Sequence, residues 1–187
     1  MAALYSGCVP DAKTLPCLWL ISDARNDAGL ERSLARLPRG SGFVFRHYHL
    51  EGDARRQRFD ALAAAARAHG HCVVLSGTAE LAQAWGADGI YGPPHKLGTL
   101  PGLLRLATAH DPHEINLANR AAADGVFLSP VFPTRSHPGG KSLGTVRFRE
   151  LAAQAKMPVI ALGGITAERA RELDWPRWAA IDGLSKG

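Results

Sequence analysis

The sequence predicts one small, all-parallel (β/α)8 barrel of the TIM-barrel class. Eight short apolar runs alternate with segments of helical spacing. The runs lack the in-and-out alternation of a half-exposed sheet, so they fit strands buried on both faces. At 187 residues the chain is one domain's worth, long enough to bury a core. An open doubly wound sheet is the other arrangement that this alternation permits. Barrels usually need ~200 residues or more, so some connections must be reduced.

Leu18–Ile21 is the first run, followed by Leu30, Leu34 and Leu37 at helical spacing. Phe43–Phe45 is the second, bounded by Gly40 and Gly42, and an alanine-rich helix over Phe59–Ala68 stops at Gly70. Cys72–Leu75 precedes a helix over Ala79–Trp85, closed by Gly86. Asp88–Tyr91 leads into a Pro/Gly-rich connection, Gly92–Gly102, with little room for a full helix. Leu103–Ala107 is the fifth run, and Asp111 and Pro112 open a helix towards Ala123 as N-cap and first residue. Asp124–Leu128 and a helix over Phe148–Ala155 come next, then Pro158–Leu162 and a helix capped by Thr166 and running through Leu173. Trp178–Ile181 is the eighth run. The last helix is missing, unless residues 1–16 cover that face. No repeat or linker divides residues 1–187, so a single domain is expected.

Composition narrows the function classes. The chain is 46% hydrophobic and 21% charged, as in ordinary soluble proteins. No apolar run nears the ~18 residues of a membrane span. Residues 1–16 lack a secretory pattern, which implies the cytoplasm and no membrane partner. Cys8, Cys17 and Cys72 are odd in number and lack C-x-x-C spacing, which argues against disulfides and structural zinc. The net charge of +5 is spread along the chain, so nucleic acid is not expected as a partner. Arg55, Arg56 and Arg58 read as a solvated helix face, or as a modest field for an anionic metabolite. Truncated outer helices would leave apolar surface for a homodimer.

A parallel barrel puts its site on the loops after the strands. This selects Ser22–Asp23, Arg46–His49, Ser76–Gly77, Tyr91–Lys96, Thr108–His110, Ser129–Lys141, Gly163–Gly164 and Asp182–Gly183. Gly163 and Gly164 lie between a buried run and a capped helix, where the backbone can approach a phosphate. The sixth loop is long and offers Thr134, Ser136 and Lys141 as donors to an anion. Arg46 ends a buried run and needs an anionic partner, either a phosphate or a neighbouring carboxylate. His110 is the candidate for acid–base catalysis. His47 and His49 share a strand face, and His110 and His113 are three apart. No carboxylate or cysteine accompanies them at ligand spacing, so no metal site is expected.

Leu18–Asp23, Trp85–Ile90, Ser129–Thr134 and Ile160–Ile165, in that order, resemble the thiamine-phosphate synthase/TenI-like family. The resemblance implies a barrel that joins a hydroxymethylpyrimidine diphosphate to a thiazole phosphate and releases pyrophosphate, with magnesium helping the diphosphate leave. By the same resemblance Arg46, Thr134 and Ser136 meet the diphosphate and Gly163–Gly164 holds the thiazole phosphate, while Lys141 joins the diphosphate residues from the loop reading alone.

The departures from the family pattern are specific. Ser76–Gly77 and Pro93–Lys96 replace the metal-binding aspartates, Tyr48 and His137 replace lysines, and Asp182 stands where a phosphate-binding serine is expected. Lys96 or His95 would then supply charge in place of the metal. Pro130 holds the position of the tautomerase histidine, leaving His110 as that base. Three functions follow: a divergent synthase, a thiazole tautomerase, or an inactive phosphometabolite-binding or regulatory protein.

Overall fold

Successive residues of the apolar runs are buried on opposite faces, and the two sets pack into separate layers. Trp19, Ile21, Val44, Val74, Leu106, Phe127, Ile160 and Ala179 fill the interior of a cylinder. Their neighbours Leu20, Phe43, Phe45, Val73, Leu75, Val126 and Leu128 face outwards, under the helices. The computed structural model describes residues 15–136 and 139–184.

The strands are β1 (Leu18–Ile21), β2 (Gly42–Phe45), β3 (Cys72–Leu75), β4 (Gly89–Gly92), β5 (Leu104–Ala109), β6 (Gly125–Leu128), β7 (Val159–Ala161) and β8 (Trp178–Ala180). They form a closed barrel in chain order, and β1 pairs β8 in parallel through Trp19 and Ala179. Closure removes the doubly wound alternative.

The helices are α1 (Leu30–Arg36), α2 (Gly52–Ala68), α3 (Ala79–Trp85), α4 (Pro112–Arg120), α5 (Gly144–Ala152) and α6 (Ala167–Leu173). Side chains of Thr78, Asp111 and Thr166 cap α3, α4 and α6 by accepting N–H bonds from Leu81, Glu114 and Arg169. The connection after β4 is a single 3-10 turn, Pro94–Lys96, as its length requires. After β8, residues 181–184 form a bend and a turn, with no helix among the described residues.

Two expectations need correction. The helix expected from Phe59 begins at Gly52, because the arginine-rich first turns lack an apolar period to announce them. Cys17 is disulfide-bonded, against the argument from cysteine count and spacing; Cys8 lies outside the described residues. Cys72 is free, and burial, helped by the Asp88 charge, pushes its thiol up to about 12.

The N-terminal end of the barrel is plugged. The Trp19 ring lies against Gly42, where a Cβ would collide with it, and meets Phe127 edge-on at 5.6 Å. Its indole N–H donates to the Pro16 carbonyl at 2.8 Å. Phe127 meets Tyr91 edge-on at 5.1 Å, one step nearer the other end. Only the C-terminal end is left to open into a site.

Candidate active site

A cavity of about 1070 Å³ lies at that end. It is walled by the loops after β5, β6, β7 and β8, with Arg46 and Tyr91 on the remaining side. Of the residues singled out above, Arg46, His110, Thr134, Ser136, Lys141, Gly163 and Gly164 all line it. Ser76, Gly77 and the Pro93–Lys96 segment do not, so neither His95 nor Lys96 takes the place of a metal there. His137 lies outside the described residues.

The β1–β2 side is built from charges that answer one another. Arg46 donates through Nη2 to Asp23 Oδ2 at 2.8 Å, so its partner is a carboxylate of the preceding loop. Its Nε is buried without a hydrogen-bond partner. Arg25 donates to Asp23 at 2.8 Å, Asp182 at 3.3 Å and Ser136 Oγ at 2.9 Å, tying the loops after β1, β6 and β8 together. Burial pushes the Asp23 carboxyl up, but hydrogen bonds from Arg25 and the charges of Arg25 and Arg46 outweigh it and hold the group below the usual range.

Asp182 is not a bare charge. Arg135 and Arg25 both reach it, at 3.0 and 3.3 Å.

The β6–β8 side is built from close backbone contact. Val131 and Phe132 donate to the carbonyls of Leu162 and Gly163 at 2.9 and 3.0 Å. A Cβ on Gly163 would lie 2.6 Å from Pro130 Cα, and one on Gly164 would run into the Pro133 carbonyl. Both glycines have positive φ, 95° and 64°. Their first duty is therefore to let the sixth and seventh loops meet. Thr134 Oγ1 accepts the Ser136 N–H at 3.3 Å, and Lys141 is exposed beside them.

His110 has a defined tautomer in its neutral form. Nδ1 lies 2.7 Å from the Ser129 carbonyl, which only accepts, so Nδ1 carries the proton and Nε2 keeps a lone pair. The His110 backbone N–H donates to Glu114 at 2.7 Å and anchors the loop. Tyr91 lines the cavity at 6% exposure, and burial pushes its phenol up to about 12, so it stays a donor.

Sequence reasoning missed Arg25, whose partner Asp182 is 157 residues away. It misread the arginine cluster as well. Arg55 donates to the Arg46 and Ser76 carbonyls between the rings of Phe45 and Trp85, and Arg58 pairs with Asp27 and Glu31. These are braces rather than a solvated face. The expectation that His47 and His49 lack a carboxylate also fails, because the fold brings Asp27 to both. His47 is fully buried, and burial holds its imidazole below the usual range despite the Asp27 partner.

The residues present do not fit the magnesium that the family resemblance implies. Such an ion asks for several oxygen ligands, carboxylates foremost. Asp23 and Asp182 are both taken by guanidinium groups, and the loops after β3 and β4 offer no carboxylate in the cavity, which leaves Glu168 of α6 as a single unpaired carboxylate among the described lining residues, too few for the ion.

The chain is similar to proteins of thiamine biosynthesis. The thiamine monophosphate synthase family model matches residues 100–177. A putative thiamine-phosphate synthase 2 of Aquifex aeolicus is 32% identical over 96 residues, 48% of this chain and 52% of that protein. The chain thus matches only about half of that relative's length. A thiamine-phosphate synthase of Mycobacterium sp. (strain KMS) is 28% identical over 83% of this chain and 78% of its own. Among solved structures, thiamine phosphate pyrophosphorylase from Pyrococcus furiosus superposes with a TM-score of 0.77 at 21% identity, covering 94% of this chain and 91% of that one. FabK from Thermotoga maritima follows at 0.70 and 14%, covering 91% and 59%, so the barrel by itself names no reaction. Among the described residues no helix is long and apolar enough to cross a membrane.

Proposed function

We propose that this chain, whose resemblance to the thiamine-phosphate synthase family is shown in sequence and in fold, binds a pyrimidine diphosphate and a thiazole phosphate in the cavity and joins them without magnesium. The reading rests on one observation: Arg46, Thr134, Lys141 and the Gly163–Gly164 turn face a single cavity at the strand ends. In this reading the diphosphate leaves with the electron pair of its carbon–oxygen bond, and the thiazole nitrogen takes its place on the carbon. Negative charge builds on the leaving group. Arg46 and Lys141 answer that charge, and the orphan Nε of Arg46 supplies a donor whose desolvation has already been met. The thiazole phosphate lies against the glycine turn at the far wall, with the Thr134 hydroxyl between the two.

Turnover of the two substrates by the purified chain tests this, with magnesium and with a chelator. Product at equal rates in both is expected. Tight binding of both substrates with a rate no better than buffer would replace the synthase by a binding protein.

The His110 tautomer favours a second reading. A lone pair on Nε2 at the cavity wall can take a proton from a thiazole phosphate carboxylate, the step of a tautomerase. NMR titration of His110 with that ligand decides it. An imidazole resonance and pKa that do not move would remove it.

A further inference from the structure

Asp27, His47 and His49 stand apart from the phosphate cavity, and none of the three lines it. Their ligand atoms all lie within 4.8 Å of one another, brought together from the loops after β1 and β2. We propose that these three residues bind a divalent transition-metal ion of zinc's class on the outer rim of the barrel mouth.

The spacing already suits an ion. His47 Nε2 and Asp27 Oδ1 are 2.8 Å apart. Two ligands of a tetrahedral ion, each bonded at about 2.0–2.1 Å, lie roughly 3.3 Å from each other, so a small opening of this pair admits the metal. His49 is exposed, with its ring 5.0 Å from that of His47, and supplies the third ligand while water completes the set. Two imidazoles and one carboxylate favour zinc, cobalt or nickel over magnesium and calcium.

The groups that would hold the His47 ring on the ion are also in place. His47 is fully buried and stacked on Phe45 at 4.5 Å, so its ring cannot swing away. Its Nδ1 is 2.8 Å from Ser22 Oγ. Without metal, Nε2–H donates to Asp27 and Nδ1 accepts the serine proton. With metal, Nε2 turns its lone pair to the ion, the ring proton moves to Nδ1, and Nδ1–H donates to Ser22. That hydroxyl also accepts the Arg46 N–H at 2.8 Å, and its two lone pairs suffice for both. A metal-bound imidazole whose other N–H is held in this way is the usual arrangement.

Arg58 touches Asp27 Oδ1 at 2.7 Å and would oppose an ion there. It is also held by both oxygens of Glu31 and by the Asp27 carbonyl. Asp27 and Glu31 against Arg58 leave one net negative charge to receive the cation.

Zinc and cobalt binding by the full chain tests the proposal, using His49→Ala and His113→Ala. Both histidines are exposed, so neither change disturbs the core. Wild type should give a cobalt visible spectrum without a thiolate charge-transfer band, and zinc should displace the cobalt. His49→Ala should weaken zinc about tenfold or more, while His113→Ala should leave it unchanged. Equal zinc affinity in wild type and His49→Ala, or a thiolate band reporting Cys72, would overturn the site.

Discussion

The β1–β3 half of the mouth and its β5–β7 half both present cations, but they hold them differently. In the first half each arginine already has a partner: Arg46 is paired with Asp23 through Nη2, Arg55 with two carbonyls, and Arg58 with Asp27 and Glu31. In the second half Lys141 has no ion-pair partner among the described residues, and His110 keeps Nε2 open. Geometry there comes from loops pressed backbone to backbone. The first half is pre-organised by charge and the second by shape. A ligand arriving at Arg46 must share a guanidinium, whereas at Lys141 it meets an unshared ammonium.

The shape-built half should break at its tightest contact. Gly164→Ala forces a positive φ on an L residue and drives a methyl into Pro133 and Phe132. Strain and overpacking together should cost ~3 kcal/mol. Thermal unfolding should then fall by roughly 6–12 °C for a chain of this size. An unchanged melting temperature would mean that the sixth loop yields freely, and that shape does not order this half.

The charge-built half should break at Arg46. Arg46→Gln removes a charged donor held at 18% exposure, where a charge-assisted bond contributes about 1.5–3 kcal/mol. Calorimetry with inorganic pyrophosphate should show affinity falling roughly tenfold to a hundredfold. Lys141→Ala, on an exposed side chain, should cost only about threefold, because solvent screens its charge. The opposite ranking of the two variants would reverse the roles assigned to the two halves.

The shape-built half was also the more legible one in the sequence. Gly163–Gly164, Thr134, Lys141 and His110 lie on the connections after β7, β6 and β5, so strand order alone selects those segments. The strands themselves were readable to within a residue or two, since buried runs bounded by glycine and proline leave few options. The charge-built half was not readable in this way. Arg46 was found, but Asp23 as its partner, Arg25 as the hub and Asp27 beside His47 depend on which loops closure brings together. Those pairs span 20 to 157 residues, and no local pattern encodes them.

Asp23 gives the smallest effect and the sharpest contrast. Its carboxyl is held below the usual range, so its contribution to stability is complete above the unfolded value of about 3.9. That contribution is lost as pH falls through the lower, folded value. Asp23→Asn should therefore be modestly less stable than wild type at neutral pH, because Arg25 and Arg46 lose their shared anion. The gap should close below about pH 4, as wild type protonates the same group. Pyrophosphate binding should move the other way and tighten severalfold, because Arg46 no longer divides its charge. Stability falling while anion affinity rises is the signature of a guanidinium pre-organised by a carboxylate it must give up. A variant that loses both would show instead that Asp23 is needed to aim Arg46, and that its competition for the charge is the lesser effect.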